Sequence, residues 1–379
     1  MKKGEIQFMG VHLRKKIKSK SSGLLSIFVL TFLLVLSACS AGEDTPASQA
    51  GEVSNDASSS SNGSGEAVTL SIAHFVPPAH HLHEDIVVPF SEEIEELTEG
   101  RVTFEHYPAS ALGAPEAHYD MAVSGVADIT ISLQSYTPGK FPLSSVTELP
   151  FIGSSAVMGA EILWQLYQTF PEIQQEYEET KVLGLFANDA EYILTAKKPI
   201  EKLEDLKGLR IRTATTSENN TMEAWGASPS FMPMPDVYDA LQRGVIDGAV
   251  APLSTIESFG LADVVDYIIE GPFSVTNFFM VMNKEAWNKL SAEDREIVEQ
   301  VAEKYRVLAA ERYDKAGNDG RTVGIENGVE VITLADSEME RMRDSLKDFY
   351  QEWIDEMEAK GLPGEEIFNE ALRLSQSYN

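Results

Sequence analysis

LKGLRIRTA at 206–214 and GASPSFMPMPDVYDALQRGVIDGA at 226–249 are the most informative stretches of this chain. Apolar runs and helical spacings alternate from 203 to 249, which predicts the order strand, helix, strand, helix, strand. Arg212 stands at the exit of the first of these strands, in an apolar context. Its guanidinium presents a fixed fork of donors that holds a carboxylate through two parallel charge-assisted hydrogen bonds. If Arg212 faces a cleft, we expect the chain to bind an organic anion.

The same alternation continues along the chain and predicts an α/β protein. We predict strands at 68–74, 101–107, 126–133, 181–187, 192–197 and 329–334, and early helices at 82–98 and 115–124. Ser291 is expected to cap a helix that runs toward Gly317, because Asp294 occupies the third helical position. Asp336 is expected to cap a second late helix that extends to about Lys360. A length of 379 residues suits two lobes, which these late helices would brace.

A short internal sequence repeat, the internal echo, indicates that the two halves of the chain have similar structure. MAVSGVADI at 121–129 and ALQRGVIDG at 240–248 share a helix end, then Gly-Val-x-Asp, then a strand. We expect Gly125 and Gly244 to end their helices in the left-handed conformation. The aspartate three residues after each glycine is expected at the start of the following strand.

Residues 1–38 have the pattern of a lipoprotein signal peptide. Seven Lys or Arg precede an apolar run from Leu24 to Leu36, which is too short to span a membrane and typical of a secretion signal. The run ends in Leu-Ser-Ala-Cys, which resembles a lipobox, and Cys39 is the only cysteine. The alternative is an ordinary signal peptide with a chance cysteine. We expect lipidation of Cys39, a flexible tether over 39–66, and anchoring at the extracytoplasmic face of the cell membrane.

Charge and motif content exclude several classes of function. Removal of residues 1–38 leaves 23 basic against 59 acidic residues, a net charge of −36, which argues against nucleic-acid binding. The sequence contains no HExxH, Gly-x-Ser-x-Gly, P-loop or dinucleotide fingerprint. We therefore predict neither an enzyme nor a bound cofactor.

From about Thr69 to Asn283 the sequence resembles the DctP family, the substrate-binding proteins of TRAP transporters. The matching stretches are YPASALG at 107–113, ELPF at 148–151, DLKGLRIRT at 205–213, the block at 226–248 and TNFFMVMN at 276–283. The resemblance implies a two-lobed, periplasmic-binding-protein-like fold that closes about a hinge over an organic acid. One lobe is expected from 67–189 with about 277–316, and the other from 190–276 with about 317–379.

The resemblance also implies partners. A TRAP-type permease, driven by an ion gradient, would receive the organic acid. The alternatives are a protein that presents its ligand to a membrane sensor kinase, and a lipoprotein enzyme acting on carboxylates. Permease subunits encoded by neighbouring genes would favour transport over sensing.

Within the family motif KGLxxR, the carboxylate-binding arginine falls on Arg212. An asparagine that often accompanies it is replaced here by Ala251, and the second basic residue of sialic-acid-binding members is absent between Asp189 and Tyr192. We therefore expect a ligand with one carboxylate and an apolar or aromatic body, in place of a sugar acid or a C4 diacid.

Further candidate ligand-binding residues follow from strand ends and from the resemblance. His74, Phe75, Gln134 and Tyr136 follow or end strands, where α/β sheets present ligand contacts, and Met232, Met234, Asn277 and Phe278 lie on segments that flank the family's cleft. A structural role is the alternative for His74, and core packing is the alternative for the Met and Phe residues. Gln134 and Tyr136 are expected to be polar contacts or lid groups. The run His80-His81-Leu82-His83-Glu84-Asp85 resembles a metal motif, but no second histidine cluster completes a site. We expect it to be the exposed start of a helix that faces the cleft and serves solvent or ligand, without a metal.

Overall fold

A computed structural model describes residues 67–378. The predictions for residues 1–38 and 39–66, including lipidation of Cys39, lie outside the described residues. Between residues 67 and 378, no helix combines the length and the apolar composition that crossing a membrane requires.

Two sheets organise the described chain. The first sheet has the spatial order Val102–Tyr107 (β2), Val68–His74 (β1), Ile129–Leu133 (β3), Asn277–Asn283 (β10) and Thr180–Ala187 (β4). The second has the order Glu330–Thr333 (β11), Tyr267–Glu270 (β9), Glu191–Thr195 (β5), Gly248–Pro252 (β8), Arg210–Thr213 (β6) and Ser228–Phe231 (β7). Each sheet carries one lobe, so the predicted two-lobed α/β architecture is confirmed.

Helices cover both sheets. They are Val88–Leu97 (α1, preceded by a π-helical turn at Leu82–Val87), His118–Ser124 (α2), Ala156–Thr169 (α3), Pro171–Gln175 (α4), Thr216–Ala224 (α5), Val237–Gln242 (α6), Ser254–Ser258 (α7), Lys284–Lys289 (α8), Ala292–Glu326 (α9), Asp336–Asp344 (α10), Phe349–Ala359 (α11) and Gly364–Ser377 (α12). The predicted order of the central block is confirmed as β6, α5, β7, α6 and β8. Its first helix begins where Thr215 Oγ1 accepts a hydrogen bond from the Glu218 N–H at 2.9 Å.

The internal echo is a real structural repeat. Gly125 and Gly244 both adopt the left-handed conformation, with φ of 72° and 67°. Asp128 and Asp247 each precede a strand and accept a hydrogen bond from a backbone N–H of the neighbouring parallel strand, at 2.8 Å in the first lobe and 2.9 Å in the second. The same local chemistry therefore joins helix to strand in both lobes.

The lobes are connected by two strand crossings and by α9. The chain passes between the sheets at 188–190 and again at 271–276. Helix α9 begins at Ser291, whose Oγ accepts from the Asp294 N–H at 3.0 Å as predicted. It packs against α1 and β4 of the first lobe and against α7 of the second, so it braces both.

The predicted end of this helix near Gly317 is wrong, because α9 continues to Glu326. A side chain at Gly317 would collide with the Asp189 carboxylate, and one at Gly320 would collide with the Leu253 carbonyl. These glycines therefore allow the hinge and α7 to approach the helix closely. Burial of that face outweighs the weak helix propensity of glycine.

The predictions for the C-terminal helices are also partly wrong. Residue 335 occupies the cap position and Asp336 is the first helical residue, while the expected single helix is interrupted between Asp344 and Phe349. Helix α10 packs on the second lobe, where Met342 joins the core around Trp225. Helices α11 and α12 instead pack on the first lobe, together with α3, although we expected 317–379 to belong to the second.

Candidate functional site

Arg212 is a buried cation whose guanidinium is only partly satisfied. It lies at the inner end of β6 and is 1% exposed. Its Nε donates to the Met232 carbonyl at 2.8 Å, Nη1 to the Val250 carbonyl at 2.8 Å, and Nη2 to the Tyr136 hydroxyl at 3.2 Å. All three acceptors are uncharged. Because arginine has five N–H donors, two remain for an anion held in a fixed orientation.

Tyr136 supplies a third donor beside Arg212. Its hydroxyl oxygen accepts from Arg212 and from the Met234 N–H, the latter at 2.9 Å, so its own hydrogen is free to donate. Burial raises the pKa of Tyr136 to about 12, which keeps that hydrogen in place. Tyr136 belongs to the first lobe and its partners to the second, so the anion site is assembled across the cleft.

A small cavity of about 30 Å³ adjoins these donors. It is lined by Phe75, Val76, His80, Leu133, Tyr136, Asn188, Glu191, Arg212, Ala214, Met234, Pro252, Ser254, Thr255, Phe259, Phe278 and Tyr313. The rings of Phe75 and Phe278 stack at 6.1 Å, and Phe278 contacts Tyr313 at 5.5 Å. The aromatic wall suits a flat apolar ligand.

Two buried carboxyl groups lie near Arg212 and affect its charge balance. Glu191 Oε1 accepts from Asn188 and from Thr276, both at 2.8 Å, whereas Oε2 has no partner. Burial raises the pKa of Glu191 well above its usual range, and the neighbouring Glu218 raises it further. Burial also raises the pKa of Glu218, although Arg212 opposes the shift. Both pKa shifts disfavour ionisation of these acids, whose carboxylates would otherwise compete with a bound anion for Arg212.

The structure brings five of the candidate ligand-binding residues together. Arg212, Phe75, Tyr136, Met234 and Phe278 all line the cavity. Met232 is a neighbour that acts through its backbone carbonyl, which accepts from Arg212.

The other three candidates lie elsewhere. His74 shares a hydrogen bond of 2.9 Å with His83. The Asn277 amide accepts from Thr147 at 2.9 Å and donates to the Ser144 carbonyl at 3.0 Å, so it fixes a loop of the first lobe. Gln134 is buried without a side-chain partner and lines a second, wider cavity of about 240 Å³ between α5, α11 and the segment after β3.

Several lining residues escaped sequence reasoning. Asn188 lies at the strand crossing and Glu191 begins β5. Ser254 begins α7, Phe259 follows its last residue, and Tyr313 lies on α9. Glu191 alone had a signal in the sequence, because it is an acidic residue at the start of the apolar strand EYILT at 191–195. The others come from elements that only tertiary folding joins.

The histidine run differs from its predicted exposed position. His80 is 2% exposed and His81 is 7% exposed, because both pack against Tyr313 of α9. His80 lines the cavity. Across residues 67–378, no three potential metal ligands have an arrangement that would hold an ion.

Comparison with known proteins places the chain in a family. Residues 72–356 match the model for bacterial extracellular solute-binding protein family 7, DctP. The outer membrane transporter protein TsaT of Comamonas testosteroni is 26% identical over 306 residues, which are 79% of this chain and 90% of TsaT.

Solved structures agree with this match. A TRAP solute-binding protein from Rhodoferax ferrireducens with copurified benzoate superposes with a TM-score of 0.78 at 27% identity, covering 82% of this chain and 98% of that one. A marine metagenome TRAP protein specific for aromatic acids, crystallised with 3-hydroxybenzoate, gives a TM-score of 0.78 at 28% identity, covering 83% and 100%. The chain therefore belongs to the DctP family and is a TRAP solute-binding protein for organic acids.

Proposed function

We propose that this protein captures an aromatic monocarboxylate outside the cytoplasm and delivers it to a TRAP permease. The observation that carries the proposal is the buried Arg212, whose two unused N–H groups lie beside the free O–H of Tyr136. Three donors in a site screened from water stabilise a carboxylate more strongly than the same donors would at the surface.

The cavity favours one carboxylate over two. Arg212 is the only Lys or Arg among the residues that line it. A second carboxylate would meet aromatic rings or the Glu191 carboxyl. Desolvation of an unpaired carboxylate costs several kcal/mol, so a C4 diacid is disfavoured.

The apolar wall favours an aromatic body. Phe75, Phe278 and Tyr313 form adjoining rings along the cavity, with Met234 beside the anion site. Offset or edge-on ring contacts add to the free energy of burying an aromatic ligand. The relatives that hold benzoate and 3-hydroxybenzoate support this choice of ligand class.

Delivery to a permease and anchoring by lipid complete the proposal. The sequence pattern at Cys39 supports a lipid anchor, and the polar composition of residues 39–66 supports a tether. Contacts of Tyr136 with Arg212 and Met234 join the two lobes. Ligand capture would therefore favour the closed form that a permease recognises.

A thermal-shift panel tests the ligand class directly. Benzoate and phenylacetate should raise the unfolding temperature of the purified protein, whereas succinate and malate should leave it unchanged. Mass spectrometry of material that copurifies with the protein provides an independent identification. Strong stabilisation by succinate or malate, with none by aromatic acids, would refute the proposed ligand.

A further inference from the structure

Glu191 is a buried acid that lines the same small cavity as Arg212. It is 1% exposed and lies at the start of β5, beside the first crossing between the lobes. Within the described chain, the three hydrogen bonds of the Arg212 guanidinium go to uncharged acceptors, and none of them goes to Glu191. The acid and the guanidinium therefore border a common space without neutralising each other.

The two carboxyl oxygens of Glu191 have different surroundings. Oε1 accepts hydrogen bonds from the Asn188 amide and from the Thr276 hydroxyl, each at 2.8 Å, so both of its lone pairs are used. Oε2 is buried and has no partner among the residues that the structure describes. In a neutral carboxyl group the oxygen that accepts twice is the carbonyl oxygen, so the hydrogen is on Oε2. Neutral Glu191 therefore has an unused O–H donor.

The charged groups around Glu191 favour its neutral form. Burial raises the pKa of Glu191 well above its usual range, Glu218 of α5 raises it further, and Arg212 of β6 opposes both effects. Asn188 and Thr276, which donate to Oε1, also lower this pKa, but they carry no charge. The opposing effects of Arg212, Asn188 and Thr276 are smaller than that of burial, so Glu191 retains its proton more strongly than an exposed acid.

The other titratable groups of the cavity wall, apart from Arg212, are neutral. Burial raises the pKa of Tyr136 to about 12 and raises the pKa of Tyr313 well above its usual range. Burial lowers the pKa of His80 well below its usual range. When Glu191 is protonated, Arg212 is therefore the only charged group in the wall, and one bound carboxylate neutralises it.

We infer that Glu191 contacts the ligand carboxylate as a neutral acid, with Oε2–H donating a hydrogen bond to it, so that binding requires a proton on the protein. The inference rests on the proposed function, because it needs a carboxylate at Arg212. An ionised Glu191 would place two carboxylates in one buried site, where like charges disfavour each other. The neutral acid instead adds a charge-assisted O–H···O⁻ hydrogen bond. The proton stays on Glu191 in the complex, and solvent supplies it wherever the free protein has lost it.

This contact makes ligand affinity depend on pH. A bound carboxylate stabilises protonated Glu191, so the pKa of Glu191 is higher in the complex than in the free protein. Affinity should be constant below the pKa of Glu191 in the free protein and should fall by about tenfold per pH unit above it. Benzoate does not cause such a decline, because a carboxyl group with a pKa of roughly 4 stays ionised above about pH 6.

Calorimetry with benzoate between about pH 6 and about pH 10 tests this coupling. The affinity of wild type should fall by at least about tenfold across the range. Where it falls, binding should take up about one proton per ligand, measured from the dependence of the binding enthalpy on the ionisation enthalpy of the buffer. Glu191→Gln is isosteric, keeps an acceptor and a donor, and has no proton to lose, so the decline and the proton uptake should both disappear.

Glu148→Gln is the matched control. Glu148 is also buried, and burial raises its pKa to about 8, but it does not line the cavity beside Arg212. This variant should keep the pH dependence of wild type.

Three results would overturn the role of Glu191 alone. They are a constant wild-type affinity across the pH range, an equal decline in wild type and Glu191→Gln, and loss of benzoate binding by Glu191→Gln at about pH 6, where the amide still offers a donor. Failure of both benzoate and phenylacetate to bind wild type at every pH would instead overturn the proposed function.

Discussion

Replacement of Arg212 by methionine should abolish high-affinity ligand binding and leave a folded protein. Methionine has a similar length and suits the apolar surroundings, but it has no N–H donors. The ligand would lose two charge-assisted hydrogen bonds and the only Lys or Arg among the cavity-lining residues. Removal of one partner from a buried charge pair costs about 2–5 kcal/mol, so the affinity should fall between about 30-fold and about 5,000-fold.

The Arg212→Met protein should still fold, because the substitution has two opposing effects on stability. The substitution leaves the Met232 and Val250 carbonyls without their donor, which destabilises the protein. It also removes a buried positive charge, which relieves a desolvation penalty. These effects oppose each other, so the unliganded variant should still unfold cooperatively.

Arg210→Met is the matched control for calorimetry with the ligand found by the thermal-shift panel. Arg210 lies two residues earlier on the same face of β6, but its side chain is 49% exposed and paired with Asp247 at 2.7 Å. Its replacement should change affinity less than about twofold, since an exposed ion pair contributes little. An affinity of Arg212→Met within a few-fold of wild type would contradict a carboxylate site at Arg212.

Three further predictions concern other parts of the chain. Tyr136→Phe should weaken ligand binding by about tenfold in calorimetry, because one hydrogen-bond donor to the carboxylate is lost; unchanged affinity would exclude that role. Burial raises the pKa of Glu148 from 4.5 to about 8, so the folded state keeps a proton that the unfolded state has lost. The contribution of Glu148 to the free energy of unfolding is complete below the pKa of the unfolded state. It is lost as the pH rises through about 8, the pKa in the folded state. Between about pH 5 and about pH 9, the free energy of unfolding should therefore fall less for Glu148→Gln than for wild type in chemical unfolding. An identical fall in both proteins would contradict this pKa. Cys39→Ser should release the protein from membranes without altering its affinity, and immunoblots that find the variant in the membrane fraction would contradict the lipid anchor.

Features that depend on local signals were predictable from the sequence. Alternating apolar runs predicted the strand and helix order around Arg212, and the structure confirms it. The left-handed helix ends at Gly125 and Gly244 and the cap at Ser291 were predictable, because each depends on a few adjacent residues. The position of Arg212 near the end of β6 was predictable for the same reason, and its contact with a carboxylate remains a prediction.

Long-range packing determines which side chains meet in the cavity. Glu191, Ser254 and Tyr313 come from a strand crossing, a short helix and a long helix, and no spacing in the sequence relates them. Burial also determines local structure that sequence propensity did not predict. Helix α9 continues through Gly317 because close packing against the hinge favours a residue without a side chain. His80 is buried because α9 covers it, whereas the sequence predicted an exposed residue at the cleft. Such contacts depend on the free energy of packing distant elements together, which a local sequence pattern does not contain.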